Sequence, residues 1–179
     1  MSTATSSRPE TGEFNPYYAG YVALVPDGDV RATLRTQIAD TAALLLAAPT
    51  NLHEHRYAAG KWSVKEVVAH MADTERVLAY RILRFARGDD TPLASFDEQL
   101  WAPAAGCEMR TLPSLVAEFE AVRAATAALL QGLPPEAWTR GGQASGAAVT
   151  VRALAWIIAG HELHHRAILE GRYLGPVGS

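Results

Sequence analysis

The segment from residue 151 to 170 constrains the fold most strongly, because it is an apolar stretch interrupted by His161-Glu162-Leu163-His164-His165. Its apolar residues recur at helical spacing, which predicts a helix from Val151 to about Glu170. Two histidines four residues apart project from one face of a helix, so His161 and His165 lie together on the apolar side. Buried imidazoles need partners, either backbone or carboxylate groups or one shared metal ion.

Three other segments show the same periodicity. Predicted helices run from about Asp29 to Ala48, from Ser63 to Gly88, and from Thr111 or Ser114 to Gly132. Ser63 and Glu66 have the spacing of a capping box at the start of the second helix. No convincing β pattern and no internal repeat is present. The sequence therefore predicts an all-α chain that forms a four-helix bundle.

The composition limits the kind of protein this chain can be. Its 179 residues, 49% hydrophobic and 20% charged, are typical of one globular domain, which we expect over residues 22–175 after a disordered or irregular lead-in at residues 1–21. A net charge of −3 argues against nucleic acid as a partner, and no apolar run reaches the ~20 residues that span a membrane. A lone Cys107 and the lack of a secretory signal predict a cytoplasmic protein.

A third metal ligand is needed for a catalytic site, and four other histidines are available. His164 points about 60° away from His161 on a helical wheel. His53 and His55 lie in a connector, where the sequence does not place them. His70 lies at the edge of the apolar stripe of the second helix, which makes it the best candidate.

The heights of these histidines predict the topology. His70 follows Ser63 by seven residues, and the midpoint of His161 and His165 precedes Glu170 by seven, so each lies roughly 10 Å from its helix end. The heights coincide only if the second and fourth helices are antiparallel. This requires an up-down-down-up order with a long crossover between helices two and three, for which the predicted loop from Asp89 to Arg110 is long enough.

Several motifs also resemble a known family. They are Gly60-Lys61-Trp62-Ser63-Val64-Lys65-Glu66, His70-Met71-Ala72-Asp73-Thr74-Glu75, Tyr80-Arg81 and Gly160-His161-Glu162-Leu163-His164-His165. In order and spacing, from about Tyr57 to Tyr173, they closely resemble the DinB/YfiT-like family of metalloenzymes.

The resemblance implies an up-down-down-up four-helix bundle that binds a divalent ion, zinc or nickel, through three histidines. Matched residue by residue, those ligands are His70, His161 and His165. Many members have Gln three residues after the last histidine, where this chain has Ile168. Characterised relatives use low-molecular-weight thiols, as mycothiol-dependent isomerases or bacillithiol S-transferases, and others are described as hydrolases.

Two alternative interpretations of the histidine motif stay open at this point. His161-Glu162-Leu163-His164-His165 also matches His-Glu-x-x-His of the zincin proteases, in which the Glu is a general base. The metzincin extension is missing, because Ile168 and Gly171 stand where Gly and His are required. A structural ion in a non-catalytic stress-response module is the other alternative.

The functional hypothesis is an enzyme that uses the ion with a small-molecule substrate, as a thiol-dependent transferase or as a hydrolase. The sequence identifies no convincing catalytic residue, with Glu162 and Asp73 as nominal bases. Asp73 and Glu75 are candidate partners that orient His70, although Asp73 lies some 60° round the helix towards solvent, which favours a surface charge. Trp156 and Leu163 give the fourth helix a second apolar side, which predicts a cover by the N-terminal segment or a homodimer contact.

Overall fold

The computed structural model describes residues 6–175, and the elements named here belong to that range. The helices are α1 (Ala19–Leu24), α2 (Val30–Leu46), α3 (Val64–Ala86), α4 (Glu98–Ala104), α5 (Leu112–Gln131) and α6 (Val151–Ile168). A two-stranded antiparallel hairpin is formed by β1 (Gly141–Ala144) and β2 (Ala147–Thr150). The four long helices coincide with the four predicted ones. Within residues 6–175, no helix is both long enough and apolar enough to cross a bilayer.

The predicted helix starts are confirmed by their caps. The backbone N–H of Glu66 donates to Ser63 Oγ at 3.2 Å, and the backbone N–H of Ser63 donates to Glu66 Oε2 at 2.7 Å. Thr150 Oγ1 accepts from the N–H of Ala153 at 3.1 Å at the start of α6. These side chains satisfy amides that the first helical turn leaves without partners, and so fix where α3 and α6 begin.

Two apolar clusters fill the space between the long helices. One includes Leu34, Phe85, Leu130 and Leu154, and the other includes Leu45, Val67, Leu115 and Leu169. Between them along each long helix lie buried polar residues, which we call the polar layer: Gln37, Thr41, Glu75, Arg123 and Glu162. All four long helices therefore contribute to one polar level in an otherwise apolar interior.

The clusters also give the direction of each long helix. Along α2 and α6 the chain passes from the Leu34 cluster to the Leu45 cluster, and along α3 and α5 it passes the other way. The hydroxyl of Tyr173, just after α6, donates to the carbonyl oxygen of Trp62, just before α3, at 2.7 Å. The start of α3 thus meets the end of α6, as the predicted histidine site requires.

The absence of β structure was wrongly predicted. Residues 141–150, which begin with the Gly/Ser-rich stretch 141–147, form the β1–β2 hairpin, with Ser145 and Gly146 both at positive φ (53° and 78°) in its two-residue loop. Gly142 faces the ring of Phe85, and any Cβ there would overlap that ring. The glycines that resemble a flexible linker are therefore required by packing against α3.

The predicted loop from Asp89 to Arg110 also contains a helix that was not predicted. Asp97 caps α4 by accepting from the N–H of Gln99 at 2.9 Å. Pro103 lies inside this helix near its end. A segment this short, with a proline, has too little periodicity to be recognised from sequence.

The N-terminal segment covers the second apolar side of α6. The indole of Trp156 is fully buried, donates to the carbonyl oxygen of Ser6 at 3.1 Å, and lies beneath the guanidinium of Arg8. Gly160 lets α1 approach closely, since a Cβ at that position would overlap the backbone of Tyr21. Residues 1–5 of the predicted lead-in lie outside the described residues.

Candidate metal centre

The three predicted ligands converge on one point between α3 and α6. The Nε2 atom of His161 lies 3.0 Å from Nε2 of His70 and 3.1 Å from Nε2 of His165. One nitrogen from each of the three rings lies within 4.8 Å of the other two. His161 and His165 are one turn apart on α6, whereas His70 lies 91 residues before His161, so the packing of α3 against α6 brings His70 to the pair.

The donor set fits a divalent metal ion. Two imidazole nitrogens that each bind one ion at about 2.0–2.1 Å are separated by about 3 Å, which is the spacing found here. Three converging Nε2 atoms cannot all be satisfied by one another, because a neutral imidazole has only one N–H. An ion that accepts all three lone pairs resolves this.

Burial keeps the three imidazoles neutral. Their residues are 7%, 7% and 9% exposed for His70, His161 and His165. Burial lowers the pKa of His70 to about 4, and burial together with the neighbouring imidazoles lowers the pKa of His165 to about 3. Burial, followed by the imidazoles of His165, His70 and His164, holds the pKa of His161 well below the usual 6.5. Neutral imidazole is the form that binds metal, so the rings are ready to do so at physiological pH.

Neighbouring side chains fix the ring of His70. The indole of Trp62 lies against it, with ring centroids 4.6 Å apart, and Thr74 Oγ1 lies 3.4 Å from Nδ1. On the other side of the site, Tyr21 packs edge-on against His161 at 5.6 Å. Such contacts to the outer face of a ligand ring hold its orientation.

The remaining histidines lie outside the cluster. His164 packs edge-on against His165 and Tyr21, with ring centroids 5.1 Å from each. The Nε2 atom of His53 is 3.1 Å from the carbonyl oxygen of Ala48, and His55 packs against Tyr173. The wheel argument therefore separated His164 from the pair, while the connector histidines could be placed only by the structure.

Glu162 belongs to the polar layer and not to the histidine cluster. Its carboxylate is almost fully buried and binds Arg123 Nη1 at 2.7 Å and Thr41 Oγ1 at 2.6 Å, with a further hydrogen bond from the amide of Gln37. All of its close partners are donors from α2 and α5. These contacts hold the carboxylate in the core, which argues against the general-base role that the zincin interpretation requires.

The other two carboxylates near His70 are also bound elsewhere. Glu75 receives two hydrogen bonds from Arg123, at 2.8 and 2.7 Å, and is buried in the polar layer. Asp73 is partly exposed and pairs with Arg76 at 3.1 Å. Asp73 is thus a surface charge, neither carboxylate orients His70, and Thr74 takes the position next to its Nδ1 atom.

A cavity of about 430 Å³ leads from the surface to the three histidines. Aromatic side chains form much of its wall, and they include Tyr17, Tyr18, Tyr21, Tyr57, Trp62 and Tyr173. Ile168 also lines this cavity and presents an apolar side chain to it. The volume lies within the range of about 300–1,000 Å³ that small-molecule sites occupy.

The cavity walls contain residues that were not identified from the sequence. The three tyrosines around α1 come from a segment that we expected to be an irregular lead-in, and Arg81 was noted only within a family motif. The run Tyr17-Tyr18 and Tyr21, at helical spacing, was the available signal. It could not be used, because sequence alone does not reveal that the segment folds back over α6.

Comparison with known proteins supports the same fold. The chain resembles the solved structure of YfiT from Bacillus subtilis, described as a probable metal-dependent hydrolase with an unusual four-helix bundle topology, with a TM-score of 0.68 and 18% identity over 91% of this chain and 92% of that one. It also resembles the mycothiol-dependent maleylpyruvate isomerase, with a TM-score of 0.66 and 18% identity over 84% of this chain and 61% of that one. At such identities the similarity concerns the fold alone.

A family assignment comes from the sequence itself. No curated protein matches significantly. The sequence profile of the DinB superfamily, however, matches residues 33–169, which include all three histidines of the cluster and most of the chain. This protein therefore belongs to the DinB superfamily.

Proposed function

We propose that this protein is a metal-dependent enzyme that acts on a small molecule and binds one divalent ion through His70, His161 and His165. The observation that carries the proposal is the convergence of three neutral Nε2 atoms at a cavity that opens to solvent. When bound, the ion would supply a Lewis acid and would lower the pKa of a thiol or water next to it.

The donor set favours a catalytic ion over a structural one. Structural zinc is normally enclosed by four protein ligands, whereas catalytic sites keep a position free. Among the residues that the structure describes, the cluster has three candidate ligands, with no fourth His, Cys, Asp or Glu. The adjacent cavity gives a substrate access to the remaining position.

The chain supplies a hydrogen-bond donor rather than an evident base at this cavity. Burial raises the pKa of Tyr21 to about 12, so its phenol stays protonated at neutral pH, whereas the single O–H of Tyr173 is already donated to the carbonyl oxygen of Trp62. A protonated phenol can donate to an oxygen that gains negative charge during a reaction. We assign no general base, because Glu162 and Asp73 are held by arginines outside the cavity.

For the reaction, we favour a thiol-dependent S-transferase that acts on small electrophiles, with the low-molecular-weight thiol as co-substrate. The similarity to a mycothiol-dependent isomerase supports this choice. A hydrolase is the second candidate, supported by the similarity to YfiT. For the ion we propose Zn²⁺ or Ni²⁺, since imidazole ligands suit both.

The proposal includes an up-down-down-up order of α2, α3, α5 and α6, which places His70 opposite His161 and His165. The opposite passage of α3 and α6 between the two apolar clusters supports it. We further propose that residues 22–175 act as one domain in the cytoplasm. Cys107, buried with its thiol near the carbonyl oxygen of Lys65, supports a protein that needs no disulfide.

The reaction class can be tested by pairing thiols with electrophiles. Protein purified without a nickel column is stripped with a chelator, reloaded with zinc or nickel, and incubated with an alkylating electrophile such as a bromobimane, with and without a low-molecular-weight thiol. Product formation that requires both the ion and the thiol supports the transferase. Turnover of ester or amide substrates that requires the ion but no thiol would instead support the hydrolase.

A further inference from the structure

Arg81 is a buried cation that has no anionic partner among the residues that the structure describes. It is 3% exposed and lines the same cavity as the histidine cluster. Within residues 6–175 it forms no ion pair, whereas Arg123, the other buried arginine, binds two carboxylates. Burying a charge without a counter-ion is costly, so a residue of this kind needs an explanation.

The guanidinium is held in place by neutral acceptors alone. Its Nη2 atom donates to the carbonyl oxygen of Ala94 at 2.8 Å and to Ser145 Oγ at 2.9 Å, and the hydroxyl of Tyr18 is a further hydrogen-bond partner. These groups orient the side chain but leave its positive charge uncompensated. Both N–H groups of Nη2 are thus in use, and an oriented, uncompensated guanidinium is suited to bind a carboxylate through a charge-assisted hydrogen bond from its remaining donors, on Nη1 and Nε.

The backbone of Ser145, one of the partners of Arg81, is strained. It is the one non-glycine residue with positive φ (53°) among those that the structure describes. A left-handed conformation is uncommon for serine, whereas the same two-residue hairpin loop is usually Asn-Gly or Asp-Gly. The conformation brings Oγ of Ser145 to the guanidinium of Arg81.

Arg81 and the histidine cluster lie at two ends of one face of α3. Eleven residues separate His70 from Arg81, which corresponds to about three helical turns and roughly 16 Å along the axis, on the same side. Thr74 and Leu78, on the intervening turns of that face, also line the cavity. A single molecule can therefore extend along α3 from the guanidinium towards the histidines.

The charges on the cavity wall agree with an anionic ligand. Besides Arg81, the wall includes the exposed cation Lys61. Glu98 is the acidic residue that lines the cavity, and it forms no ion pair with Arg81 in the described part of the chain.

We propose that Arg81 binds the carboxylate of the substrate, so that this enzyme acts on small carboxylic acids whose reactive group lies several bonds from that carboxylate. The choice of substrate class rests on the proposed function, because the histidine end is where the reactive group is placed. Binding of the carboxylate at Arg81 does not itself require the metal ion.

The test measures binding of phenylpropionate and of its neutral amide by calorimetry, in metal-loaded and in metal-free protein. Phenylpropionate should bind both forms more tightly than the amide does. In Arg81→Gln its affinity should fall about tenfold or more, the loss expected for one charge-assisted pair. Arg81→Lys should be intermediate, because it keeps the charge but loses the planar guanidinium that Ala94 and Ser145 hold in place. The matched control Lys61→Gln removes an exposed cation of the same wall and should change the affinity much less.

Three results would overturn the proposal. They are unchanged affinity in Arg81→Gln, no preference for the acid over the amide, and binding of the acid to metal-loaded protein only, which would place the carboxylate on the ion. If Arg81→Gln does not fold, the Nε–H resonance of Arg81 in unaltered protein decides instead: it should shift with phenylpropionate and not with the amide. If the protein proves unable to hold metal, the proposed function is wrong. Phenylpropionate binding that persists in such protein would leave the Arg81 site intact.

Discussion

Arg123 connects the polar layer, since its guanidinium binds Glu75, Glu162 and the carbonyl oxygen of Leu34. These partners lie on α2, α3 and α6, so one side chain from α5 contacts every other long helix. In a medium from which water is excluded, such contacts specify how the helices align as much as they stabilise them.

Replacing Arg123 should destabilise the protein severely. We expect Arg123→Met to lower the free energy of unfolding by about 3–5 kcal/mol, because two buried carboxylates lose their counter-ion. Glu162→Gln is the matched control and should lower the free energy of unfolding less, since the guanidinium keeps Glu75.

The Glu162→Gln variant should also keep its metal ion and, once an activity is known, a measurable part of that activity. Urea denaturation and elemental analysis measure these effects. Loss of activity by several orders of magnitude in metal-bound Glu162→Gln would restore the general-base interpretation.

The metal-free protein should lose stability as the pH is lowered. The pKa values of His70 and His165 are about 4 and about 3 in the folded chain, below the usual 6.5. The unfolded chain therefore binds protons below about pH 6.5 that the folded chain does not, and stability falls with falling pH. Each such histidine contributes at most about 1.4 kcal/mol per pH unit. Urea titrations of chelator-treated protein between about pH 7 and pH 5 should show this slope, and His70→Gln should reduce it. A flat profile would contradict burial of the neutral rings.

At the scale of elements, the contact between α1 and α6 positions the tyrosine wall of the cavity. It depends on Gly160, where a Cβ would overlap the backbone carbonyl of Tyr21. Backbone cannot rotate away as a side chain can, so α1 would have to move. The tyrosines that it carries would then leave the cavity.

Gly160→Ala should therefore destabilise the protein by about 1–3 kcal/mol, the usual cost of overpacking. Gly20→Ala provides the matched control within α1, because a Cβ there meets no atom within 4 Å and alanine favours helix. Thermal denaturation should give a lower midpoint for the first variant and an equal or higher one for the second. If the two variants are equally stable, the close approach of α1 to α6 is not as described.

The long helices could be predicted, because their apolar residues recur at helical spacing over several turns. The elements that depend on tertiary packing could not be predicted. Periodicity and caps located α2, α3, α5 and α6, and matching heights indicated which histidines meet. The β1–β2 hairpin was missed because Gly142 is needed for contact with Phe85, a reason that local sequence does not contain. The position of Glu162 in the polar layer depends equally on Arg123, which is distant in sequence.

At the scale of the whole molecule, the homodimer stays a prediction. It was argued from the second apolar side of α6, and the N-terminal segment of the same chain covers Trp156 on that side. Trp156 itself is therefore not available for a contact between copies. Sedimentation velocity at micromolar concentration tests this: a species of twice 19.2 kDa would support the dimer, and one of 19.2 kDa would contradict it.

The central claim is that the chain holds one divalent ion through three histidines, and metal content measures it most directly. Protein purified without a histidine tag or nickel column is analysed for metal by mass spectrometry, as the unaltered chain and as single alanine variants. We expect about one ion per chain, with severe loss in His70→Ala, His161→Ala and His165→Ala, because two imidazoles alone bind zinc weakly. The matched controls His164→Ala, His53→Ala and His55→Ala should retain the ion. Full occupancy in folded His70→Ala would contradict the three-histidine site.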